Sequence, residues 1–179
     1  MNRNADFTFF GDLLGISADY RLSPRLAYDK LNEFYNTAFD CLSPYCGGNQ
    51  QKVTVNCFSD SLLVWGNGAE VILKHLQTLY INLFQKGLLL RGAIVKGRLE
   101  KDPRLELANF RKFLPTDDTL ARAVGLERTG KGARLLISPA LAESLLAWIS
   151  TEKNSPKISA VPLVPDWWSG ARGGHSTTG

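Results

Sequence analysis

Two short segments carry side chains that can do chemistry together. They are Phe9-Phe10-Gly11-Asp12-Leu13-Leu14-Gly15-Ile16-Ser17 and Phe58-Ser59-Asp60-Ser61-Leu62-Leu63-Val64-Trp65. Each sets one aspartate at the edge of an apolar, strand-like run. A carboxylate in such surroundings is costly unless a positive group meets it. Two of them, on two different strands, point to a shared divalent cation. Magnesium and manganese take oxygen ligands and usually share them with substrate phosphates. Nucleotide chemistry is therefore the first expectation.

The elements that must position these aspartates follow from periodicity. Residues 6–13, rich in Phe and Leu, predict a buried strand. Residues 24–42 predict a helix with Ser23 as N-cap, Pro24 in its first turn and Ala27, Leu31, Phe34, Tyr35, Ala38 and Leu42 on its inner face. Pro44, Gly47 and Gly48 end it. Residues 52–58 and 61–66 are two strands joined tightly around Ser59-Asp60, hence a hairpin. A second helix spans 69–86, with Ile72, Leu76, Leu79 and Leu83 inward and Gly87 as C-cap. A strand over 89–100 follows, then a polar excursion over 101–118 with little regular structure. A helix over 119–128, a strand over 133–138 and a helix opening at Pro139, with Leu141, Leu145 and Trp148 inward, complete the order β-α-β-β-α-β-α-β-α. Long helices between strands and one tight hairpin imply an α/β sandwich, helices packed on a mixed sheet.

Composition bounds the class. The 179 residues suffice for one domain with a real core, taken as 1–150. Residues 151–179, with three prolines, the pair Trp167-Trp168 and a small, polar end, read as a partly flexible extension. The net charge of +4 suits an anionic ligand, but the Lys/Arg runs of a nucleic-acid patch are missing. No stretch reaches the length of a membrane span and no signal peptide is read, since Asp6 and Asp12 interrupt the first residues. Three cysteines, an odd and sparse set, predict reduced thiols and a cytoplasmic protein. Cys41 and Cys46 find no ligand-like spacing with His75 or His175, which argues against structural zinc.

Four motifs, in order and at their spacing, resemble the class III nucleotidyl cyclase catalytic domain over roughly residues 6–138. Phe10 to Ser17 is similar to the family's first metal-binding strand, and Phe58-Ser59-Asp60 to its second metal aspartate. Leu90-Arg91-Gly92-Ala93-Ile94-Val95-Lys96-Gly97 resembles the L-R-x-G-I-x-x-G strand. Leu120 to Glu127, with Ala133 to Ser138, resembles the N-x-A-x-R-L-E helix and the strand after it.

The resemblance implies a ferredoxin-like α+β sandwich with a mixed, largely antiparallel sheet. It implies two divalent ions, Mn2+ or Mg2+, about 3.5–4 Å apart on Asp12, Asp60 and the Leu13 carbonyl. One would activate a ribose 3′-hydroxyl and the other neutralise a triphosphate. Backbone N–H groups at Leu14, Gly15, Ile16 and Ser17 would hold the β- and γ-phosphates. It also implies a homodimer, with Asn56 of one protomer facing the base bound at the other's aspartates. Three positions depart from the pattern. Asn56 stands where adenylyl cyclases carry a base-reading lysine, and Ala121 and Gly125 stand where the family has its ribose-orienting Asn and transition-state Arg. Arg122 is the first candidate for the missing cation, with Arg91 and Lys96 behind it; Arg91 also reads as a structural ion-pair former. Small divergent domains of this kind resemble the pyrimidine cyclases of bacterial anti-phage (Pycsar) systems. That resemblance implies UTP or CTP as substrate, cyclic UMP or cyclic CMP as product, and a separate effector that senses it. An adenylyl cyclase and a catalytically silent nucleotide-binding dimerisation domain stay open as alternatives.

Overall fold

The computed structural model describes residues 5–46, 53–102 and 113–153. A five-stranded sheet in the order β2-β3-β1-β4-β5 forms its centre. Strand β1 (Asp6–Leu13) lies between β3 (Ser61–Asn67) and β4 (Leu90–Lys96) and pairs antiparallel with both. Strand β2 (Val53–Phe58) closes the expected hairpin on β3, and β5 (Arg134–Ile137) runs parallel to β4. The sheet is mixed and largely antiparallel, as the sequence led us to expect. A parallel pair needs a crossover, and helix α4 (Thr119–Arg128) lies on that crossover.

A side-chain period of two assigns the faces. Phe7, Phe9 and Leu13 of β1 share one core with Leu62 and Val64 of β3, Leu90 and Ile94 of β4, and Val53 of β2. Helices α2 (Pro24–Leu42), α3 (Ala69–Gln85) and α5 (Pro139–Lys153) close that core through Phe34, Leu76, Leu79 and Leu141. Thr8, Phe10 and Asp12 therefore occupy the opposite face, with Leu63 and Trp65 of β3 and Asn56 of β2. Helix α4 packs on β1, β4 and β5, and its Leu120 joins Phe10, Leu63, Trp65 and Leu99. The β2 side of this face stays accessible: Phe58 is 54% exposed.

Local signals set the helix ends. The Ser23 hydroxyl accepts the Leu26 N–H (3.4 Å) ahead of α2. Gly87, with φ +71, ends α3; its N–H donates to the Phe84 carbonyl (3.0 Å) and that of Leu88 to Leu83 (2.9 Å). Tyr35, expected on the inner stripe, is 36% exposed and sits at the stripe's edge beside Phe34. Its polar tip finds an acceptor instead of entering the core.

Two elements differ from expectation. A short helix α1 (Ile16–Leu22) follows β1. Seven residues are too few for a helix to be evident from its own propensity; this one is tied down by Asp19, whose carboxylate accepts from Lys30 Nζ of α2 (2.8 Å). Strand β4 stops at Lys96, short of Glu100, because Gly97 leaves the strand at φ +119 and donates its N–H to the Asp6 carbonyl (3.0 Å). The boundary expected at residue 150 falls inside α5. Residues 103–112 of the excursion, Gly47, Gly48 and the Trp167-Trp168 pair lie outside the described residues. No described helix is long and apolar enough to cross a membrane.

Gly92 belongs to the Leu90–Gly97 motif for a steric reason. A Cβ there would lie 2.6 Å from the Phe9 ring and 2.7 Å from the Tyr80 hydroxyl. Gly92→Ala is expected to cost about 1–3 kcal/mol of stability in urea denaturation, the range of an overpacked core. Wild-type stability of the variant would contradict this packing.

Candidate active site

Strand register brings the two aspartates to one end of the sheet. Asp12 stands opposite Ser61, the residue after the hairpin tip. The Leu13 N–H donates to the Asp60 carbonyl (2.8 Å), which fastens the tip to β1. Ser59 takes a left-handed φ of +51 to make the two-residue turn, and the Tyr35 hydroxyl donates to its carbonyl (2.9 Å). The Ser61 hydroxyl donates to Asp12 Oδ1 (3.2 Å) and orients that carboxylate.

Asp12 sits at a raised pKa. Burial is the largest cause, followed by the negative charge of Asp60, with Glu127 adding to it. The Ser61 hydrogen bond and Arg91 pull the other way. Arg91, opposite Asp12 on β4, is bound elsewhere: its Nε donates to the Glu127 carboxylate, which is only 2% exposed. Of the two readings of Arg91, the structural ion pair is the one seen. Two carboxylates, Asp12 and Asp60, thus lie near enough to repel, while the guanidinium beside Asp12 is paired with Glu127; no group of three metal-ligating side chains forms among the described residues. Two carboxylates are donors of the kind a hard divalent cation takes.

The segment after Asp12 is only partly free to bind phosphate. The Leu14 N–H, expected among the phosphate donors, already donates to the Leu89 carbonyl (2.8 Å), because the chain still pairs with the run into β4 at that point. Gly15 turns the backbone at φ +92. The N–H groups of Gly15, Ile16 and Ser17 have no backbone acceptor among the described residues. Leu13 closes β1 opposite Leu90.

Asn56 stands opposite Leu63, itself opposite Phe10, on the same face as Asp12. Two strands across and two residues along put it about 12 Å from Asp12. Arg122 lies at the other end of the sheet. It pairs with Asp118 (3.0 Å) and donates to the Lys96 carbonyl (3.3 Å). Lys96 faces Phe7, five residues from Asp12 along β1, or about 17 Å. The structure therefore brings neither Arg122 nor Lys96 to the aspartates of its own protomer. Ala121 and Gly125 are exposed on the outer side of α4.

Sequence reasoning missed the Ser61 and Tyr35 contacts. The Ser-Asp-Ser tip hinted at the first; only the register shows it. Glu127 stood inside a quoted motif, but its pairing with Arg91 joins positions 36 residues apart.

No protein-family model and no curated protein matches the sequence. Among solved structures, the chain is similar to the dimeric guanylyl cyclase domain of the RhoGC fusion protein from the aquatic fungus Blastocladiella emersonii. The TM-score is 0.56 at 15% identity, over 83% of this chain and 84% of that one. The fold is that of a class III nucleotidyl cyclase domain. At this identity the likeness carries the architecture and leaves the substrate to the residues of the site.

The raised pKa of Asp12 has a sign that can be measured. The protonated form suits the metal-free fold better, so its contribution to stability is full below the unfolded pKa. It is lost as the pH rises through the higher folded value. Metal-free Asp12→Asn is therefore expected to melt above wild type at pH 7, with the gap closing towards pH 3. Mn2+ is expected to raise the melting temperature of wild type but not of the variant. A variant that melts at or below wild type at pH 7 would refute this balance of charge.

Proposed function

We propose that the chain is a pyrimidine nucleotide cyclase that converts UTP to 3′,5′-cyclic UMP and diphosphate, with CTP the close second substrate. The carrying observation is the convergence of Asp12 and Asp60 at one end of a class III cyclase sheet, on the face that also bears Asn56. The reading includes a homodimer with active sites at the interface, a cytoplasmic location, and a product that signals to a separate effector in anti-phage defence. The free thiols Cys41, Cys46 and Cys57 agree with a reducing compartment.

The reaction is in-line attack of the ribose 3′-oxygen on the α-phosphorus. Asp12, Asp60 and the Leu13 carbonyl would hold Mn2+ or Mg2+, which would supply Lewis-acid neutralisation of the triphosphate and a more acidic 3′-hydroxyl. Ser61 holds the Asp12 carboxylate in one orientation, and the ionised form of Asp12 is the one that binds. The Gly15 and Ile16 N–H groups donate to phosphate oxygens as α1 begins. Asn56 offers an amide donor and an acceptor, which match the O4/N3–H edge of uracil or the N4/N3 edge of cytosine. Arg122, held by the Lys96 carbonyl at the far end of the sheet from its own Asp12, serves only across the dimer. Arg91 acts by holding Glu127 and the end of α4 in place. Rate enhancement comes from positioning and charge stabilisation, with no covalent intermediate.

A silent nucleotide-binding dimerisation domain is the second reading. Ala121 and Gly125 favour it, since they put no polar side chain on the outer side of α4. The deciding experiment incubates the protein with ATP, GTP, CTP or UTP and Mn2+, and identifies products by mass. Cyclic UMP is expected, with cyclic CMP second, and Asp60→Ala is expected to lower turnover by at least about a hundredfold. Cyclic AMP as the main product would replace the pyrimidine reading. No product from any nucleotide would move the conclusion to the silent domain.

A further inference from the structure

We infer that the connection Arg128-Thr129-Gly130-Lys131-Gly132-Ala133-Arg134 is a polyphosphate-binding loop serving the Asp12–Asp60 corner. The assignment rests on reading that corner as a metal–nucleotide site.

Topology brings the loop there. Glu127, one residue before the end of α4, pairs with Arg91, the β4 residue opposite Asp12. Strand β5 begins at the same end, with Arg134 in parallel register beside Arg91. Asp12, Arg91 and Arg134 thus form one row across three adjacent strands, and the loop closes the end of that row. Asp12 and Arg134 are two strands apart, about 10 Å between Cα atoms. Arg122, on the same helix, is instead bound to the Lys96 carbonyl at the far end.

The cations of this loop are uncommitted. Arg134 buries Nε and Nη2 with no hydrogen-bond partner among the described residues. Guanidinium donors left unpaired in that way are expensive. Its guanidinium lies against Gly130, where any side chain would take its place. Arg128 and Lys131 are exposed and make no ion pair among the described residues. Residues 128–134 include no acidic side chain, and the adjoining Glu127 is taken by Arg91. A helix C-terminus favours a cation such as Arg128, but that effect accounts neither for Lys131 beyond the helix nor for the buried donors of Arg134. The ligand class is the β- and γ-phosphates of a nucleoside triphosphate or the diphosphate leaving group, whose oxygens match the guanidinium fork.

The test measures binding without turnover. Inorganic tripolyphosphate with Mn2+ is titrated calorimetrically into the full chain. The double variant Arg128→Ala/Lys131→Ala, at two exposed positions, and Arg134→Gln are each expected to bind it at least about tenfold more weakly. Mn2+ alone should bind them as it binds wild type. Arg25→Ala, on an exposed α2 arginine, should behave as wild type. Wild-type affinity in the double variant, or no tripolyphosphate binding by wild type, overturns the proposal. Should Arg134→Gln fail to fold, the double variant decides. Loop-dependent binding without any cyclic product would sink the cyclase reading and leave the loop standing; cyclic product with loop-independent binding would do the reverse.

Discussion

Two carboxylates of like charge, Asp12 and Asp60, are held at one corner of the sheet by backbone pairing that does not depend on them. The β1–β3 register and the Leu13–Asp60 hydrogen bond set their positions. Burial and the negative charge of Asp60 then make the ionised state of Asp12 less favourable than it is in water. A fold keeps such a pair only if its packing over-determines the strands that carry it. The central position of β1, flanked on both edges, supplies that rigidity, and a divalent cation would relieve the repulsion.

The surroundings of that corner are arranged around charge. Arg91 could have neutralised Asp12, being its direct neighbour on β4, yet its guanidinium is drawn to Glu127. That pair welds α4 to the sheet and leaves Asp12 without a hydrogen-bonded cation among the described residues. The same weld carries the end of α4 and the start of β5 to the end of the sheet that bears the aspartates. Opposite charges kept apart by a structural ion pair suit a ligand that carries both signs, such as a metal-chelated polyphosphate.

Packing explains motif residues that chemistry does not. Gly92 lies under the Phe9 ring and the Tyr80 hydroxyl, so its smallness follows from close approach within the core. Tyr35 sits at the edge of an apolar stripe and sends its hydroxyl to the hairpin tip. Asn56 gains its place opposite Leu63 from the hairpin register, which turns every second β2 residue towards the face of Asp12.

Local pattern was enough to read β1, the hairpin, the apolar stripes of α2 and α3, the Gly87 cap and the mixed sheet, because a period of two or 3.6 and the turn residues act over a few neighbours. The two aspartates were legible for the same reason: a charge inside an apolar run stands out in one dimension. Helix α1 was not, since seven residues hold their shape through Gly15 and the Lys30 ion pair rather than through periodicity. Nor was the fate of each cation. Arg91, Arg122 and Arg134 look alike in sequence, yet one is bound to Glu127, one lies at the far end of the sheet and one buries two donors with no partner among the described residues. The amino-acid sequence by itself determined which strands exist and which carboxylates they carry. Only the tertiary structure decided which charges meet, because long-range register and burial, not sequence spacing, set the distance and dielectric between them.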